Sequence, residues 1–518
     1  MAENTKDNAQ NFWYIILPKI FFILQIIAGI YGAYWVLIHH QPQTGDDVEH
    51  LHSAWLVFQH KIPYIDFFQH HHPLLWYIFA PLVGYFSYEV GMPVSNIIVF
   101  DTVRTISTLI MFLTIYISGE IVRRFIAKTS SYMALLLTIA SIFPSYVVFS
   151  GQDFRPDNYM VFAFILGLHQ FFSYLETSKI ESLVWSFILM FLTFMFMQKS
   201  IFFLGIWGLV VLFLLWKKQI PWTDFMVALV APILGLAIFI SWLAYHNMFD
   251  IYWKSNFTFN LYIPDVYNYL VEPTNPEFYV LTGLAFIGFI YLILKGNTAA
   301  RIVSVLWLSE VVQRLFYFSL NRHYYYFLDI LNGIMAGAVA YAVIRRWKWS
   351  IYLFILLSLG GCWTFYNYCQ LRKLEPNYHR YVTPRYVLQQ TNHCDTVLNG
   401  YGLTYGIYTK DLTYYWNLNG QLDVIGNKIG LAPLPNLNAV VAQHLPKIIY
   451  TGIYWDERQR KRDLFVPVHQ ITPELRDKFY EQSLFRDIFI LKQEYQNQRR
   501  CRYNAVTEQW EYFYRESR

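Results

Sequence analysis

Acids, histidines and aromatic residues are concentrated between Thr44 and Trp76, in the sequence TGDDVEHLHSAWLVFQHKIPYIDFFQHHHPLLW, between two long apolar segments. Asp46 and Asp47 are adjacent in this stretch. At a membrane surface such carboxylates can act as a general base toward a hydroxyl group or bind a divalent cation. In the structural alternative, Thr44 caps a helix and the acids lie at the positive end of its dipole. The spacing allows both interpretations.

Three consecutive histidines, His70, His71 and His72, stand directly before Pro73, and Asp66 lies four residues upstream of the first. Neutral imidazole is the commonest metal ligand in proteins. Three consecutive side chains cannot all point at one ion, however. In the alternative, these are interfacial histidines that form hydrogen bonds with lipid headgroups or with the loop backbone. The sequence alone therefore does not show which of these histidines, if any, binds a metal.

A second group of residues could bind phosphate. Arg155 and Asp157 flank Pro156 in a short polar turn, where the arginine could hold a phosphate through two hydrogen bonds or pair with the aspartate. Lys199 lies where two short apolar stretches meet, so we expect a backbone break that presents the ammonium group. The alternative is a lysine that extends toward water. Further cationic and aromatic groups are expected near the same surface: Arg314, Arg322, His323 and Tyr324.

The composition predicts a polytopic membrane protein that positions these groups. Of the 518 residues, 55% are hydrophobic, 20% aromatic and only 14% charged. About 20 apolar residues span a bilayer, and the apolar segments predict about eleven transmembrane helices. The formal net charge of +5 does not indicate nucleic-acid binding, because the basic residues mostly flank apolar segments. Every basic cluster falls on one side, which predicts a cytoplasmic N-terminus and an external acidic stretch.

We expect an all-α membrane domain over residues 1–369, with a first external loop at 39–93, and a small α+β domain over 370–518. Strand-like runs such as Thr396–Leu398 and Lys447–Tyr450 support the second domain. The four cysteines show no metal-binding or redox spacing. Cys394 and Cys501 could pair if the C-terminal domain faces an oxidising compartment.

After the acidic pair, HKIPYIDFFQHHHPLLW resembles the first external loop of the GT-C class of integral-membrane glycosyltransferases. The resemblance is greatest to the protein O-mannosyltransferase and lipid A aminoarabinose transferase branch. The turn RPD at 155–157, QKS at 198–200 and RHYYY at 322–326 are similar to further family landmarks. The family more commonly has Asp-Glu at the acidic pair, so which aspartate is the base stays open. The loop positions shared with the family are Pro63, Tyr64, Asp66, Phe67, Phe68, His70, His71, Pro73 and Leu74.

The resemblance implies a GT-C-like fold and an enzyme that moves one sugar from a polyprenyl-phosphate donor to an acceptor outside the cytoplasm. The acceptor would be lipid A or lipopolysaccharide, another envelope glycan or a protein. Asp47 or Asp46 would be the base, no cofactor is certain, and a divalent metal stays open. We expect a bacterial inner-membrane location with a periplasmic C-terminal domain. The expected substrate-binding residues are Tyr64, Asp66, His70, His71, Arg155, Asp157, Lys199, Arg314, Arg322, His323 and Tyr324.

Two other functions fit part of the pattern. A transporter or flippase of lipid-linked sugars could use the same cations without transfer chemistry, but its binding groups should continue to the cytoplasmic side. A non-catalytic envelope assembly protein would tolerate the loss of Asp47. The candidate groups cluster on the external side, which favours the transferase.

Overall fold

The fold is given by a computed structural model, in which the chain divides into two compact units. Unit 1 comprises Met1–His40, Val103–Trp242 and Tyr269–Glu375. Unit 2 comprises Gln41–Thr102, Leu243–Asn268 and Pro376–Arg518. The described residues are 16–39, 45–90, 94–143, 150–266, 276–316, 325–356, 359–360, 363, 366, 386–387, 389–391, 395–398, 408, 410–412, 414, 425–432, 436–450, 471–483, 488–497, 499–504 and 509–514.

Long helices make up most of the described chain before residue 356. In chain order they are α1 Leu17–His39, α2 Gly45–Phe58, α3 Leu74–Val90, α4 Val94–Glu120, α5 Met133–Ile142, α6 Pro156–Thr177, α7 Ile180–Phe196, α8 Ile201–Trp216, α9 Trp222–Tyr245, α10 Phe249–Trp253, α11 Phe259–Val266, α12 Pro276–Lys295, α13 Thr298–Phe316 and α14 Tyr326–Arg346. Two π-helical turns, Ile121–Ile126 and Lys254–Thr258, follow α4 and α10.

Five described helical segments are long and apolar enough to cross a membrane. They are Ile98–Ile126, Pro156–Thr177, Gln198–Trp216, Trp222–Tyr245 and Tyr326–Arg346. Shorter apolar helices accompany them, and many large apolar side chains of these helices are exposed, as expected of surfaces that face lipid. The expected class, a helical membrane domain with a small sheet, is confirmed.

In unit 1, small residues allow helices to pack closely. A Cβ atom on Gly333 of α14 would lie 2.0 Å from Ile142 of α5, and one on Gly337 would lie 2.2 Å from Thr138. Close backbone approach at small residues is the usual way in which helices associate in a membrane. Substituting either glycine with a larger residue would therefore force these two helices apart.

A break in the backbone separates α7 from α8, as the two short apolar stretches predict. The 3₁₀ turn Gln198–Ser200 fills the break. Helices α6 and α7 form a tight hairpin, in which Ser186 Oγ donates a hydrogen bond to the Gly167 carbonyl at 2.9 Å. The turn that contains Lys199 therefore directly follows a closely packed pair of helices, α6 and α7.

Unit 2 contains the segment predicted to be the first external loop, and there α2 and α3 pack closely enough that a Cβ on Gly84 would lie 2.2 Å from the Phe58 ring. Phe249–Val266, also in unit 2, is helical throughout, in α10, the π turn and α11.

The C-terminal region contains a five-stranded sheet of strand order β2-β1-β3-β5-β4. β1 is parallel to β2 and β3, and β5 is antiparallel to β3 and β4. Short helices α15, α16 and α17 accompany it, and a separate β6–β7 hairpin ends the described chain. The bounds are β1 Thr396–Leu398, β2 Lys410–Asp411, α15 Leu437–His444, β3 Ile448–Tyr450, α16 Pro473–Phe479, β4 Tyr480–Gln482, β5 Ile488–Leu491, α17 Gln493–Gln496, β6 Arg499–Asn504 and β7 Gln509–Tyr514.

The sheet is buried on both faces. Val397, Ile448 and Ile488 belong to one apolar cluster, and Leu398 and Ile449 belong to a second. Adjacent residues of a strand point to opposite faces, which explains the division. The strands predicted at Thr396–Leu398 and near Lys447–Tyr450 are present. The domain limits of 1–369 and 370–518 stay a prediction.

Candidate functional site

The RPD turn begins helix α6 and places two charged side chains at its N-terminus. Arg155 is extended, with φ −133° and ψ 148°, and Pro156 occupies the first helical position. Proline fits there because its φ angle is already helical and its missing N–H has no helical partner. Asp157 lies in the first turn, where the helix dipole favours a carboxylate. Both charged side chains are buried.

Lys199 points at Asp157 from the turn between α7 and α8. Its Nζ lies 2.5 Å from Oδ1 of Asp157, while Nη2 of Arg155 lies 3.3 Å from Oδ2 of the same carboxylate. The side chains of Arg155 and Asp157 are 4% and 6% exposed, whereas that of Lys199 is 24% exposed. Of these three residues, the lysine is therefore the one most open to a ligand.

Arg314 brings a further cation to the same place from the last turn of α13. Its Nη2 donates to Oε2 of Glu310 at 2.9 Å, one helical turn earlier. Both residues line a small open cleft together with Asp157 and Lys199. The remaining lining residues are Met160, Val161, Phe203, Gln313 and Phe327.

Among the described residues, the charged lining of the cleft consists of two cations, Lys199 and Arg314, and two carboxylates, Asp157 and Glu310. Arg155 contacts Asp157 without lining the cleft and adds a third positive charge. A bound anion would offset that charge. Arginine and lysine are the side chains that most often bind phosphate, and the arginines can do so with two hydrogen bonds.

Two residues that line the cleft, Phe203 and Phe327, belong to an aromatic cluster. The ring of Phe203 lies 4.8 Å from that of Phe164 and 4.6 Å from that of Phe327, measured between centroids. These contacts join helices α6, α8 and α14. Because Phe203 follows the turn that carries Lys199, its packing holds the lysine in place against Asp157.

The acidic pair lies in unit 2, in the first turn of α2. Asp47 is fully buried, and Asp46 is partly exposed. Thr44, the predicted helix cap, lies outside the described residues. The helix begins at Gly45, as the position of the acids predicts.

The three histidines do not act as one group. Nε2 of His72 lies 2.8 Å from the Tyr252 hydroxyl group. By contrast, His70 and His71 turn toward Glu49 of α2, and one ligand atom from each of these three residues lies within 4.8 Å of the other two. All three are buried.

Tyr64 and Asp66 shape the turn that leads to the histidines. Tyr64 has φ +69°, a left-handed conformation that is rare for a residue other than glycine. Its hydroxyl donates to the His71 carbonyl at 2.5 Å, and burial raises the pKa of its phenol well above 10.0. The exposed Asp66 accepts a hydrogen bond from the Ile62 N–H at 2.6 Å. Both side chains therefore hold the loop conformation.

Residues of the C-terminal region contact this loop within unit 2. Oδ2 of Asp411, at the end of β2, lies 2.7 Å from Nε2 of His52, and both side chains are buried or nearly so. The Phe68 N–H donates to the Tyr414 carbonyl at 3.0 Å, and the Tyr414 hydroxyl donates to the Tyr64 carbonyl at 2.8 Å. The C-terminal region thus contacts the predicted first external loop directly.

The structure brings together two sets of the residues predicted from sequence. Arg155, Asp157, Lys199 and Arg314 meet in unit 1, whereas the acidic pair, Tyr64, Asp66, His70 and His71 belong to unit 2. Arg322, His323, Tyr324 and Cys394 lie outside the described residues.

Sequence reasoning missed three acids that contribute to these sites. Glu310 stands four residues before Arg314, a spacing that signals a helical ion pair. Glu49 and Asp411 give no comparable signal, because their partners His70 and His52 are brought to them only by tertiary packing.

No protein-family model and no curated protein matches the sequence. Among solved structures, the chain is similar to ArnT from Cupriavidus metallidurans in the apo state, with 12% identity and a TM-score of 0.55. The alignment covers 83% of this chain and 92% of ArnT.

Similarity to the Archaeoglobus fulgidus oligosaccharyltransferase is weaker. Its complex with Zn and sulfate gives 12% identity, a TM-score of 0.45 and coverage of 71% of this chain and 55% of that one. Its apo form gives 12% identity, a TM-score of 0.43 and coverage of 73% and 58%.

The likeness to ArnT concerns the fold, because an identity of 12% is too low to carry over residues or substrates. ArnT has the fold of the GT-C glycosyltransferases, the class that the first external loop resembles. Among the described residues, five helical segments are apolar enough to cross a bilayer, and the chain is therefore a membrane protein with the GT-C fold.

Proposed function

We propose that the protein is a glycosyltransferase that moves one sugar from a polyprenyl-phosphate donor to an acceptor at the external face of a bacterial inner membrane. The observation that carries the proposal is the cleft in unit 1, which is lined by the cations Lys199 and Arg314. The buried Arg155 contacts Asp157 of this cleft and adds a third positive charge next to it. Such a cleft suits an anionic phosphate. The GT-C fold supports the same class of reaction.

The reaction is an inverting displacement. Asp47, or its neighbour Asp46, takes the proton from the acceptor hydroxyl, whose oxygen forms a bond to the anomeric carbon. The bond from that carbon to the phosphate oxygen breaks, and its electron pair leaves with polyprenyl phosphate. Negative charge on the phosphate thus increases in the transition state, where cations stabilise it most.

Lys199 is the proposed principal contact with the leaving phosphate. It is the most exposed of the three side chains joined through Asp157, and an ammonium group on a flexible chain can follow a phosphate oxygen as its charge grows. Arg155 and Arg314 are held by their carboxylates and supply a fixed positive field. Arg322, His323 and Tyr324 remain predicted members of the same site.

In unit 2, the first external loop is proposed to hold the sugar or the acceptor. His70 and His71 are the proposed contacts, and Tyr64 and Asp66 keep their backbone in position through the hydrogen bonds described above. The acceptor is lipid A or lipopolysaccharide, another envelope glycan or a protein. We place the N-terminus in the cytoplasm and the C-terminal domain in the periplasm, since every basic cluster then lies inside.

Mass spectrometry of envelope lipids tests this function. We expect deletion of the gene to remove one sugar from an acceptor while its polyprenyl-phosphate form accumulates, and the wild-type gene to reverse both changes. If the deletion leaves every glycan unchanged, the proposal is wrong. If the acceptor loses its sugar and the accumulated donor lies only in the cytoplasmic leaflet, the chain is a flippase instead.

A further inference from the structure

We propose that Glu49, His70 and His71 form a binding site for Zn²⁺ or a similar late first-row divalent metal. This inference stands independently of the proposed glycosyl transfer, because it depends only on the geometry of unit 2. The three residues each direct one ligand atom to a common region, within 4.8 Å of one another.

The distance between two of these ligand atoms fits shared coordination. Nδ1 of His70 lies 3.6 Å from Oε1 of Glu49, which is longer than an ordinary hydrogen bond. Two ligands at zinc distances of about 2.0–2.1 Å lie about 3.3 Å apart in a tetrahedron. A shift of a few tenths of an ångström would therefore place both atoms on one ion.

The type of donor selects the class of metal. Two imidazoles and one carboxylate suit Zn²⁺ and its neighbours Co²⁺, Ni²⁺ and Cu²⁺, whereas Mg²⁺ and Ca²⁺ prefer oxygen ligands. Three protein ligands leave a fourth position open to water. All three side chains are buried, and buried charged groups in proteins are usually paired or bound to a metal.

The surroundings hold the ligands in position. Asn260 Nδ2 donates to the His70 carbonyl at 2.9 Å, and the Tyr64 hydroxyl donates to the His71 carbonyl at 2.5 Å. Gln69 Nε2 donates to Ser53 Oγ at 2.7 Å, which ties the histidine segment to α2, the helix that carries Glu49. Such outer contacts typically orient metal ligands and are part of a built site.

His72 provides a matched control within the same triplet. It is as buried as its neighbours, but Nε2 lies 2.8 Å from the Tyr252 hydroxyl, and the residue is not part of the three-residue cluster. A glutamine can keep a hydrogen bond to that hydroxyl. His72→Gln should therefore disturb the loop as much as the other histidine substitutions do without removing a metal ligand.

The test uses the full-length protein in detergent, purified without a histidine tag. Bound metal is measured by mass spectrometry after dialysis, Zn²⁺ affinity by competition with a chelator, and Co²⁺ coordination by visible absorption. We expect one Zn²⁺ per chain and a four-coordinate Co²⁺ spectrum. Glu49→Gln, His70→Gln and His71→Gln should each weaken binding by at least about 100-fold, more than the loss of an outer contact does, while His72→Gln should bind like wild type.

Folding is checked separately by gel filtration and thermal unfolding. A chelator should lower the unfolding midpoint of wild type and of His72→Gln but not that of Glu49→Gln. Absence of stoichiometric Zn²⁺ binding would overturn the proposal. So would binding that all three substitutions leave unchanged, binding that His72→Gln weakens equally, or selective binding of Mg²⁺ that depends on Asp46 and Asp47.

Discussion

The ammonium group of Lys199 lies 2.5 Å from Oδ1 of Asp157, and the other oxygen of that carboxylate lies 3.3 Å from Nη2 of Arg155. One buried aspartate therefore binds two cations, one at each oxygen of its carboxylate. Without it, the like charges of Lys199 and Arg155 would repel each other. Asp157 thus fixes the positions of both cations, and the partly exposed Lys199 is more open to a ligand than the buried Arg155.

Lys199→Met should weaken the binding of polyprenyl phosphate to the purified protein by about 10- to 100-fold, the effect of losing one charge-assisted hydrogen bond. Methionine has a similar length but no charge. Binding can be measured by titration with a fluorescent polyprenyl phosphate. Lys218→Met, at an exposed position two residues after the end of α8, is the matched control and should bind normally. Equal affinities of wild type and Lys199→Met would exclude this lysine from the phosphate site.

Asp157→Asn should lower stability, because two cations lose their shared counter-charge. Removing one partner of a buried pair costs about 3–5 kcal/mol, and the partial exposure of Lys199 reduces this to about 2 kcal/mol. Thermal unfolding in detergent measures the difference in stability between Asp157→Asn and wild type.

The double variant Asp157→Asn/Lys199→Met supplies the control for this pair. If the pair is coupled, the two substitutions together should cost less than the sum of their separate effects. Strict additivity would show that the contact between Lys199 and Asp157 contributes nothing to stability.

Tyr64→Phe removes the hydrogen bond to the His71 carbonyl and should destabilise the protein by about 1 kcal/mol at neutral pH. Burial raises the pKa of Tyr64 above 10.0 in the folded protein. Above that pH the unfolded phenol loses its proton while the folded one keeps it, so stability falls as pH rises. The difference in unfolding free energy between wild type and Tyr64→Phe, measured by thermal unfolding, should become smaller above pH 10.0. A difference that does not change with pH would contradict the raised pKa of Tyr64.

Asp411→Ala should loosen the first external loop, because His52 and Asp411 form a contact of 2.7 Å with 2% and 11% of their side chains exposed. We expect the substitution to lower the free energy of unfolding by about 1–3 kcal/mol. Hydrogen exchange of the Gly45–Phe58 amides should become faster. Asp477→Ala, at an exposed position of the same C-terminal region, should leave exchange in that helix unchanged. Unchanged exchange in Asp411→Ala would mean that the contact does not support α2.

Some of this organisation could be predicted from local sequence. The break at Gln198–Ser200 follows from two short apolar stretches that meet at a polar Gln-Lys-Ser segment, and the structure confirms it. The start of α6 follows from Pro156 and Asp157, whose types suit a first helical turn. In both cases the signal lies within a few neighbouring residues.

Other features depend on tertiary packing and could not be predicted. The sequence gives no reason for His72 to contact Tyr252 while His70 and His71 turn toward Glu49. The direction of each ring is decided by the fold of the turn that contains Tyr64, whose left-handed backbone is unusual for tyrosine. Likewise, Asp411 lies 359 residues from His52 along the chain.

The most direct test of the central claim is sugar transfer by purified protein in detergent. Lipids extracted from a deletion strain would supply both the accumulated donor and the unmodified acceptor, and mass spectrometry would detect the product. A detergent micelle does not separate two compartments. Transport of the donor across a membrane therefore cannot produce the glycosylated acceptor in this assay. We expect wild type to form the glycosylated acceptor and Asp47→Asn, or Asp46→Asn if that residue is the base, to form none. Failure of wild type to transfer sugar, or full activity of both variants, would contradict the account.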